Sequence, residues 1–424
     1  MSMPSRRNHR GLDWLAFMMA DVRDGIGPYL AIFLKGAAHW SPAMIGAALA
    51  VNNVATACAL IPAGMLVDTL RCKRLLLAGA GLLVAFGALA VLFAPRPAVV
   101  FPIEAALGIA AAFLGPAMIG VSLGLVGQRR LAARLSRNEG FNHAGNVVGA
   151  LAIGMVTRLF GLPWIFYLAA GFAFVSAIVV SLIPARAIDH DVARGRPAPG
   201  VAALSPGETL RRPGFAAFLL AVVLFHLANA AMLPLAGQVL AATHPGADAA
   251  AMSACIIVAQ AVMVAVAIAV GRADAAGWGR KPIFLIGFAI LPLRGLLFVF
   301  VGSPVGIVLV QALDGIGAGV FGIIAPLIAA DLMRGTGRIN FAQALVALAT
   351  GLGGAASNLG AGLIVGAFGY PAGFLALSAV AVIALATLAL GVAETRPQPS
   401  SPGDEMRRKS GQADHIAVME ADHA

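Results

Sequence analysis

Runs of about twenty apolar residues, the length needed to cross a hydrocarbon core, recur along the whole chain and limit its fold more than any other feature. Twelve can be delimited: Trp14–Leu34, Ile45–Val67, Leu75–Ala94, Val99–Val126, Phe141–Leu159, Trp164–Ile183, Phe215–Val239, Met252–Val270, Ile283–Val301, Val305–Ala330, Gln343–Ala367 and Gly373–Val392. A backbone in lipid must satisfy its own hydrogen bonds, so each run is expected to form a helix. A water-soluble globule is excluded, because only 11% of the residues are charged and 60% are hydrophobic, against about a quarter charged in soluble domains. The expected fold is an all-α membrane protein of twelve transmembrane helices.

The first run is interrupted by charge. Asp21, Arg23 and Asp24 stand inside it, followed by Gly25, Gly27 and Pro28. A charge deep in a membrane helix costs at least ~2.5–3.5 kcal/mol on insertion scales, so such a cluster is expected to pair inward or to act on a substrate or proton. On an ideal helix Asp21 and Asp24 share one face while Arg23 points elsewhere. The glycines and the proline weaken the helix beside them, which frees backbone carbonyls where the chain borders a cavity. A static staple, with Arg23 neutralising one aspartate, is the structural alternative.

The net charge of +10 does not indicate nucleic-acid binding, because the basic residues fall in short clusters between apolar runs without interleaved aromatics. They divide unequally. Arg6, Arg7, Arg10, Arg71, Lys73, Arg74, Arg129, Arg130, Arg134, Arg137, Arg186, Arg272, Arg280, Lys281, Arg334, Arg338 and the clusters around Arg211 and Arg407 fall on one side of a twelve-span topology; Lys35, Arg96 and Arg158 fall on the other. By the positive-inside rule both termini are expected in the cytoplasm, in a cytoplasmic (inner) membrane. The basic start, Met1 to Arg10, has no small-residue cleavage pattern and reads as a retained segment. Cys58, Cys72 and Cys255 have neither disulfide nor metal spacing, and no cofactor pattern is present.

The chain also repeats. Pro28 recurs as Pro234, Ala106-Leu107-Gly108-Ile109 as Leu313-Asp314-Gly315-Ile316, Asp68 as Asp274, and Gly161-Leu162-Pro163 as Gly369-Tyr370-Pro371, all about 207 positions apart. This predicts two pseudo-symmetric six-helix bundles, residues 1–184 and 213–394, joined by a Pro-, Gly- and Arg-rich cytoplasmic linker over 185–212 and followed by a polar tail over 395–424. Duplicated membrane halves place a substrate between them near the midplane.

Gly64-Met65-Leu66-Val67-Asp68-Thr69-Leu70-Arg71-Cys72-Lys73-Arg74, between the second and third runs, resembles the signature loop of the major facilitator superfamily, and Gly271-Arg272-Ala273-Asp274 through Gly279-Arg280-Lys281 resembles its second copy. With the 6+6 layout, the resemblance covers nearly the whole chain. It implies transport, and assigns to Asp68 and Asp274 a conformational latch in which each caps a neighbouring helix and pairs with Arg71, Lys73, Arg280 and Lys281. Two departures are visible. Glu104 stands where many members carry an arginine, four residues before Gly108, and Gly145-Asn146-Val147-Val148-Gly149-Ala150 stands where drug antiporters carry a glycine-proline pair.

Other polar residues inside the runs complete the candidate substrate or proton site. Glu104 either lines a cavity or is solvated near a span end. Asn142, His143 and Asn146 have i, i+1, i+4 spacing, and a histidine there can shuttle protons near neutrality. His226 and Asn229 fall, by the repeat offset, opposite the charged patch of the first run and are expected to line the same cavity. Arg294 has no partner in its own run and needs a carboxylate from elsewhere. Gln260, Gln311, Asp314 and Asn358 add hydrogen-bonding capacity or join helices. With no nucleotide-binding or hydrolase motif, the expected function is secondary transport of a small molecule by a monomer, coupled to protons, with export preferred. The alternatives are proton-coupled import and, from another class, a membrane-embedded enzyme or lipid-handling protein.

Overall fold

Eleven helices among the described residues are long and apolar enough to cross a membrane. They are seen in a computed structural model that describes residues 6–24, 26–70, 72–189, 206–334, 336 and 339–396. The helices are α1 (Arg6–Asp24), α2 (Ile26–Gly36), α3 (Pro42–Thr69), α4 (Lys73–Phe93), α5 (Pro97–Val126), α6 (Gln128–Phe160), α7 (Trp164–Leu182), α8 (Pro206–Leu210), α9 (Phe215–Asn229), α10 (Met232–Thr243), α11 (Asp248–Ala275), α12 (Arg280–Phe300), α13 (Pro304–Leu332), α14 (Ile339–Phe368) and α15 (Tyr370–Gly391).

Over the first apolar run two helical stretches are described, α1 and α2, and residue 25 between them lies outside the described part. Neither described stretch by itself is among the eleven. The seventh run is divided between α9 and α10, which together, as Phe215–Thr243, make one of the eleven. Elsewhere the helices outlast the apolar runs: α6 starts at Gln128, well before Phe141, because the Arg-rich segment over 128–139, which lies between two of those runs, contains no Gly or Pro to stop it. In the expected linker, a short 3-10 turn (Ala185–Ala187) and α8 form, while residues 190–205 lie outside the described part.

Starts and stops follow local chemistry. Ser41 and Ser303 cap α3 and α13, their hydroxyls accepting from Met44 N (3.3 Å) and Gly306 N (3.2 Å) with proline next in sequence. Gly161 and Gly369 end α6 and α14 with φ of 90° and 84°, a conformation that disfavours any residue bearing a Cβ.

α1 packs chiefly on α6 and α7, α3 and α4 on α5, and α4 on α7; α9 packs on α14 and α15, α11 and α12 on α13, and α12 on α15. Across these two groups α3 meets α14, α6 meets α11, and α2 meets α10. Small residues set the closest approaches, as membrane helices require. A Cβ at Gly108 would strike the Asn52 carbonyl, and one at Gly315 the Ala259 carbonyl; Gly145 faces the Phe17 carbonyl as Gly353 faces that of Val223. Each pair of crossings is related by the repeat offset, so the duplication extends from sequence to backbone contacts.

The helices α2 and α10 are mostly apolar, with Lys35 and Gln238 among the exceptions, and Tyr29 through Leu34 are all buried. Gly237 of α10 lies against Ile32 of α2. They form a plug at the end of the bundle away from the termini. By contrast, α1 and α9, their partners toward the terminal end, pack mainly within their own groups.

Candidate functional site

Behind that plug lies a cavity of about 370 Å³ bounded by both helix groups. Gly27 and Pro28 of α2 border it on one side, and Asn229, Ala230 and Pro234, at the break between α9 and α10, on the other. At that break the Ala231 N–H donates to Ser357 Oγ of α14 at 3.0 Å, so a group released from the helix ladder is satisfied by a neighbour.

Glu104 of α5 faces this space and is 5% exposed. It forms no ion pair with any described residue. Beside it are Asn52 and Asn53 of α3, and Asn358 of α14 stands on the opposite group. The amide of Asn52 donates to the Glu104 carbonyl at 3.2 Å, that of Asn53 to the Leu49 carbonyl at 3.1 Å, and that of Asn358 to the Gly354 carbonyl at 3.1 Å. Only the NH₂ end of an amide can donate to a carbonyl, which fixes the orientation of all three side chains.

Arg294 of α12, 1% exposed, is neutralised by a carboxylate from another helix, as its isolation in the sequence requires. Asp314 Oδ1 of α13 accepts from its Nη1 at 2.6 Å, together with Asn229 Oδ1, while Nη2 donates to Gln311 Oε1 at 2.8 Å. Gln311 Nε2 in turn donates to Asp314 Oδ2 at 3.0 Å, and the guanidinium lies 5.5 Å from the Phe298 ring centroid. Asp314 also borders a second chamber of about 160 Å³, with Pro28, Tyr29, Asn146, Gln260 and Gln311.

The remaining expected site residues separate. The side chains of Asp21, Arg23 and Asp24 lie outside the described residues. Asn146 borders the second chamber, but Asn142 borders a third space of about 50 Å³ between α1, α4, α5 and α6; one helical turn, ~5.4 Å, divides them. His143 Nδ1 lies 2.7 Å from Gln260 Oε1 and so bridges the two helix groups, as does the 2.8 Å bond between Tyr29 and Ser253. His226, expected in the cavity, is not among its lining residues. Its Nδ1 donates to Val222 O at 3.1 Å and its ring packs edge-on to Phe225 and Phe321. The aromatic cluster, which the i, i+3 spacing to Asn229 could not foresee, turns it away.

The expected latch is also redistributed. The side chain of Asp68, and Arg71 altogether, lie outside the described residues, while buried Lys73 donates to Leu70 O at 2.8 Å. Asp274 pairs with Arg280, but it does not cap α12. Glu394 does so, accepting from Arg280 N (2.8 Å) and Lys281 N (3.1 Å), and a Cβ at Gly279 would strike its carboxylate. Burial alone would raise the Glu394 carboxyl, yet the backbone N–H groups of Arg396, Arg280, Lys281 and Thr395 hold it below the usual carboxylate range. Arg280 reaches Asp331 as well, at 3.5 Å, and Lys281 Nζ donates to Ala389 O at 2.7 Å. All these bonds stay within the second helix group.

Sequence reasoning passed over Asp13. It joins α1 to α6 through Arg134 (2.6 Å) and Arg137 (2.7 Å); burial opposes its charge, and the two arginines outweigh burial and lower its pKa. It precedes the first apolar run and carried no signal. Asn52-Asn53, an adjacent polar pair within an apolar run, did carry one.

The sequence profile described as Major Facilitator Superfamily matches residues 12–275 and 220–416. Two proteins of Mycobacterium tuberculosis, the uncharacterized MFS-type transporter Rv2456c (strain ATCC 25618 / H37Rv) and the uncharacterized MFS-type transporter MT2531 (strain CDC 1551 / Oshkosh), are each 45% identical over 384 residues, covering 88% of this chain and 90% of theirs. Among solved structures, a point mutant of the nucleoside transporter NupG superposes with a TM-score of 0.76 at 15% identity, covering 90% of this chain and 99% of that one. The peptide transporter POT in complex with sulfate gives 0.74 at 14% identity, covering 92% and 96%. A bacterial homolog of the human lysosomal transporter Spinster, inward-facing and unoccupied, gives 0.70 at 12% identity, covering 93% and 98%.

Proposed function

The chain belongs to the major facilitator superfamily and is a membrane transporter of the MFS type, and from that premise we propose that it moves a small molecule by alternating access, with protons as the coupling ion and export as the direction. The single observation that carries this is Glu104, a buried carboxylate without an ion-pair partner among the described residues, in a cavity walled by both helix groups. A carboxylate in that position holds a proton or attracts a cargo, and the two exclude one another. Mutual exclusion at one site is exchange, and an inward proton gradient then drives cargo outward. The two helix groups, residues 1–184 and 213–394, are the rocking units, and the packing of α2 against α10 supports reading that pair as the outer gate. With the basic segments inside, both termini lie in the cytoplasm and that gate faces outward.

Growth of overexpressing and deleted strains across a toxicant and nutrient panel identifies cargo and direction. Accumulation of that cargo in everted vesicles under an imposed pH gradient is expected to collapse in Glu104→Gln, while gradient-independent counterflow survives. Wild-type accumulation in the variant removes Glu104 from coupling. Nutrient dependence in place of toxicant tolerance replaces export by import.

A further inference from the structure

The polar lining of the 370 Å³ cavity joins one carboxylate to three amide oxygens. Arg294, its buried cation, directs three of its N–H groups to protein partners: Nη1 to Asn229 and Asp314, Nη2 to Gln311. Its remaining Nε is buried without a partner among the described residues and is sealed from the cavity. The amides of Asn52, Asn53 and Asn358 each direct an N–H to a backbone carbonyl. Their amide oxygens have no protein partner among the described residues, and neither does the Glu104 carboxylate have an ion-pair partner. Acceptors therefore face the cavity from both helix groups, the amide oxygens of Asn52 and Asn53 and the Glu104 carboxylate, to which the Asn52 amide also hydrogen-bonds, on one and the amide oxygen of Asn358 on the other. The charge follows the same pattern. Arg294 cancels Asp314, which leaves Glu104, when ionised, as the uncompensated charge among the described lining residues.

A ligand matched to such a site is a cation that carries N–H donors. Cations without them are recognised through aromatic faces, as quaternary ammonium groups are, and no aromatic ring lines this cavity among the described residues. Leu49, Leu107, Leu114, Val84 and Leu233 provide the apolar remainder, and the volume falls at the small end of the ~300–1,000 Å³ typical of organic-ligand pockets. We propose that the cargo is a small organic amine, primary or secondary and protonated, whose ammonium binds Glu104 and donates to the open amide oxygens of Asn52, Asn53 and Asn358, and that its quaternary counterpart is rejected. This rests on the transport reading above. It adds discrimination between two kinds of organic cation, set by the difference between an open acceptor and an absent π face. A site built to receive N–H groups leaves buried acceptors unpaired when a methylated analogue enters, which is the strongest form of polar selectivity.

The test uses the full-length protein in lipid nanodiscs and a calorimetric panel of primary amines with roughly six to fifteen non-hydrogen atoms, a range matched to a small organic-ligand pocket, each paired with its N,N,N-trimethyl derivative. At least one primary amine is expected to bind, with its trimethyl partner at least tenfold weaker. The variants Glu104→Gln and Asn358→Leu should each weaken that amine tenfold or more. The comparison within each pair needs no variant, so a misfolded substitution does not decide the outcome. Absence of binding by every primary amine, or equal binding of both members of each pair, overturns the proposal. The two readings fail separately. Glu104-dependent accumulation of a cargo that is not an amine leaves proton coupling intact and removes the amine, whereas selective amine binding without any effect of a pH gradient on transport does the reverse.

Discussion

Asp314→Asn is expected to be the most damaging isosteric change in the cavity wall. It removes the charge that neutralises Arg294, which is 1% exposed and cannot turn to water. The pair is a direct one, 2.6 Å from Nη1 to Oδ1. Charges roughly 4 Å apart at an effective dielectric of about 20 attract by about 4 kcal/mol, and removal of one partner from a buried pair typically costs about 3–5 kcal/mol because the other is left uncompensated. The amide of asparagine keeps one acceptor for Nη1, but its NH₂ would face either the guanidinium or the Gln311 Nε2 that now donates to Oδ2 at 3.0 Å. A loss near ~3 kcal/mol is therefore expected. Arg294→Met should cost a similar amount, since it leaves Asp314 charged beside Gln311 and Asn229. The double variant Arg294→Met/Asp314→Leu should recover most of the loss, because an apolar pair of similar volume needs no compensation. Unfolding of the four proteins in mixed detergent–SDS micelles, followed by circular dichroism, gives the cycle. Single variants within about 0.5 kcal/mol of wild type, or losses that simply add in the double variant, would refute the ion pair as the element holding α12 to α13.

Gly108→Val and Gly315→Val each place side-chain atoms against a backbone carbonyl of the facing helix, Asn52 and Ala259 respectively. Each should destabilise by at least ~1–3 kcal/mol in the same assay; tolerance of both would mean that the crossings are looser than described. Ser357→Ala deprives the Ala231 N–H of its acceptor at the break between α9 and α10 and should cost about 1–3 kcal/mol, with Ser357→Thr retaining more stability than alanine. Glu394 has a lowered folded-state pKa, so its stabilising effect is present above the unfolded carboxylate pKa and is lost as pH falls through the folded value. Glu394→Gln should therefore lower stability at neutral pH and flatten the acid limb of a pH–stability profile; parallel limbs would show that the cap contributes nothing through its charge.

The sequence by itself determined the architecture, because the constraint is local. A run such as Leu75–Ala94 has one option in lipid, and the structure places α4 over Lys73–Phe93. The repeat was equally legible, since the Gly108 and Gly315 crossings lie where the spacing of Ala106-Leu107-Gly108 and Leu313-Asp314-Gly315 puts them. Arg294 announced that it needed a carboxylate, for burying a lone charge is too costly to leave uncompensated. Which carboxylate, and which polar side chains share a cavity, was decided by tertiary structure. His226 and Asn229 lie three residues apart on one helix, yet a cluster of phenylalanines from α9 and α13 turns the first away while the second reaches Arg294. Asn142 and Asn146 share a helix face but open into different chambers. Glu394, more than one hundred residues from the helix end that it caps, has no neighbour in sequence to reveal it. Periodicity reports the direction of a side chain from its own helix axis. What that side chain meets depends on the neighbouring helices, whose crossings are set by glycine contacts between segments far apart in the chain.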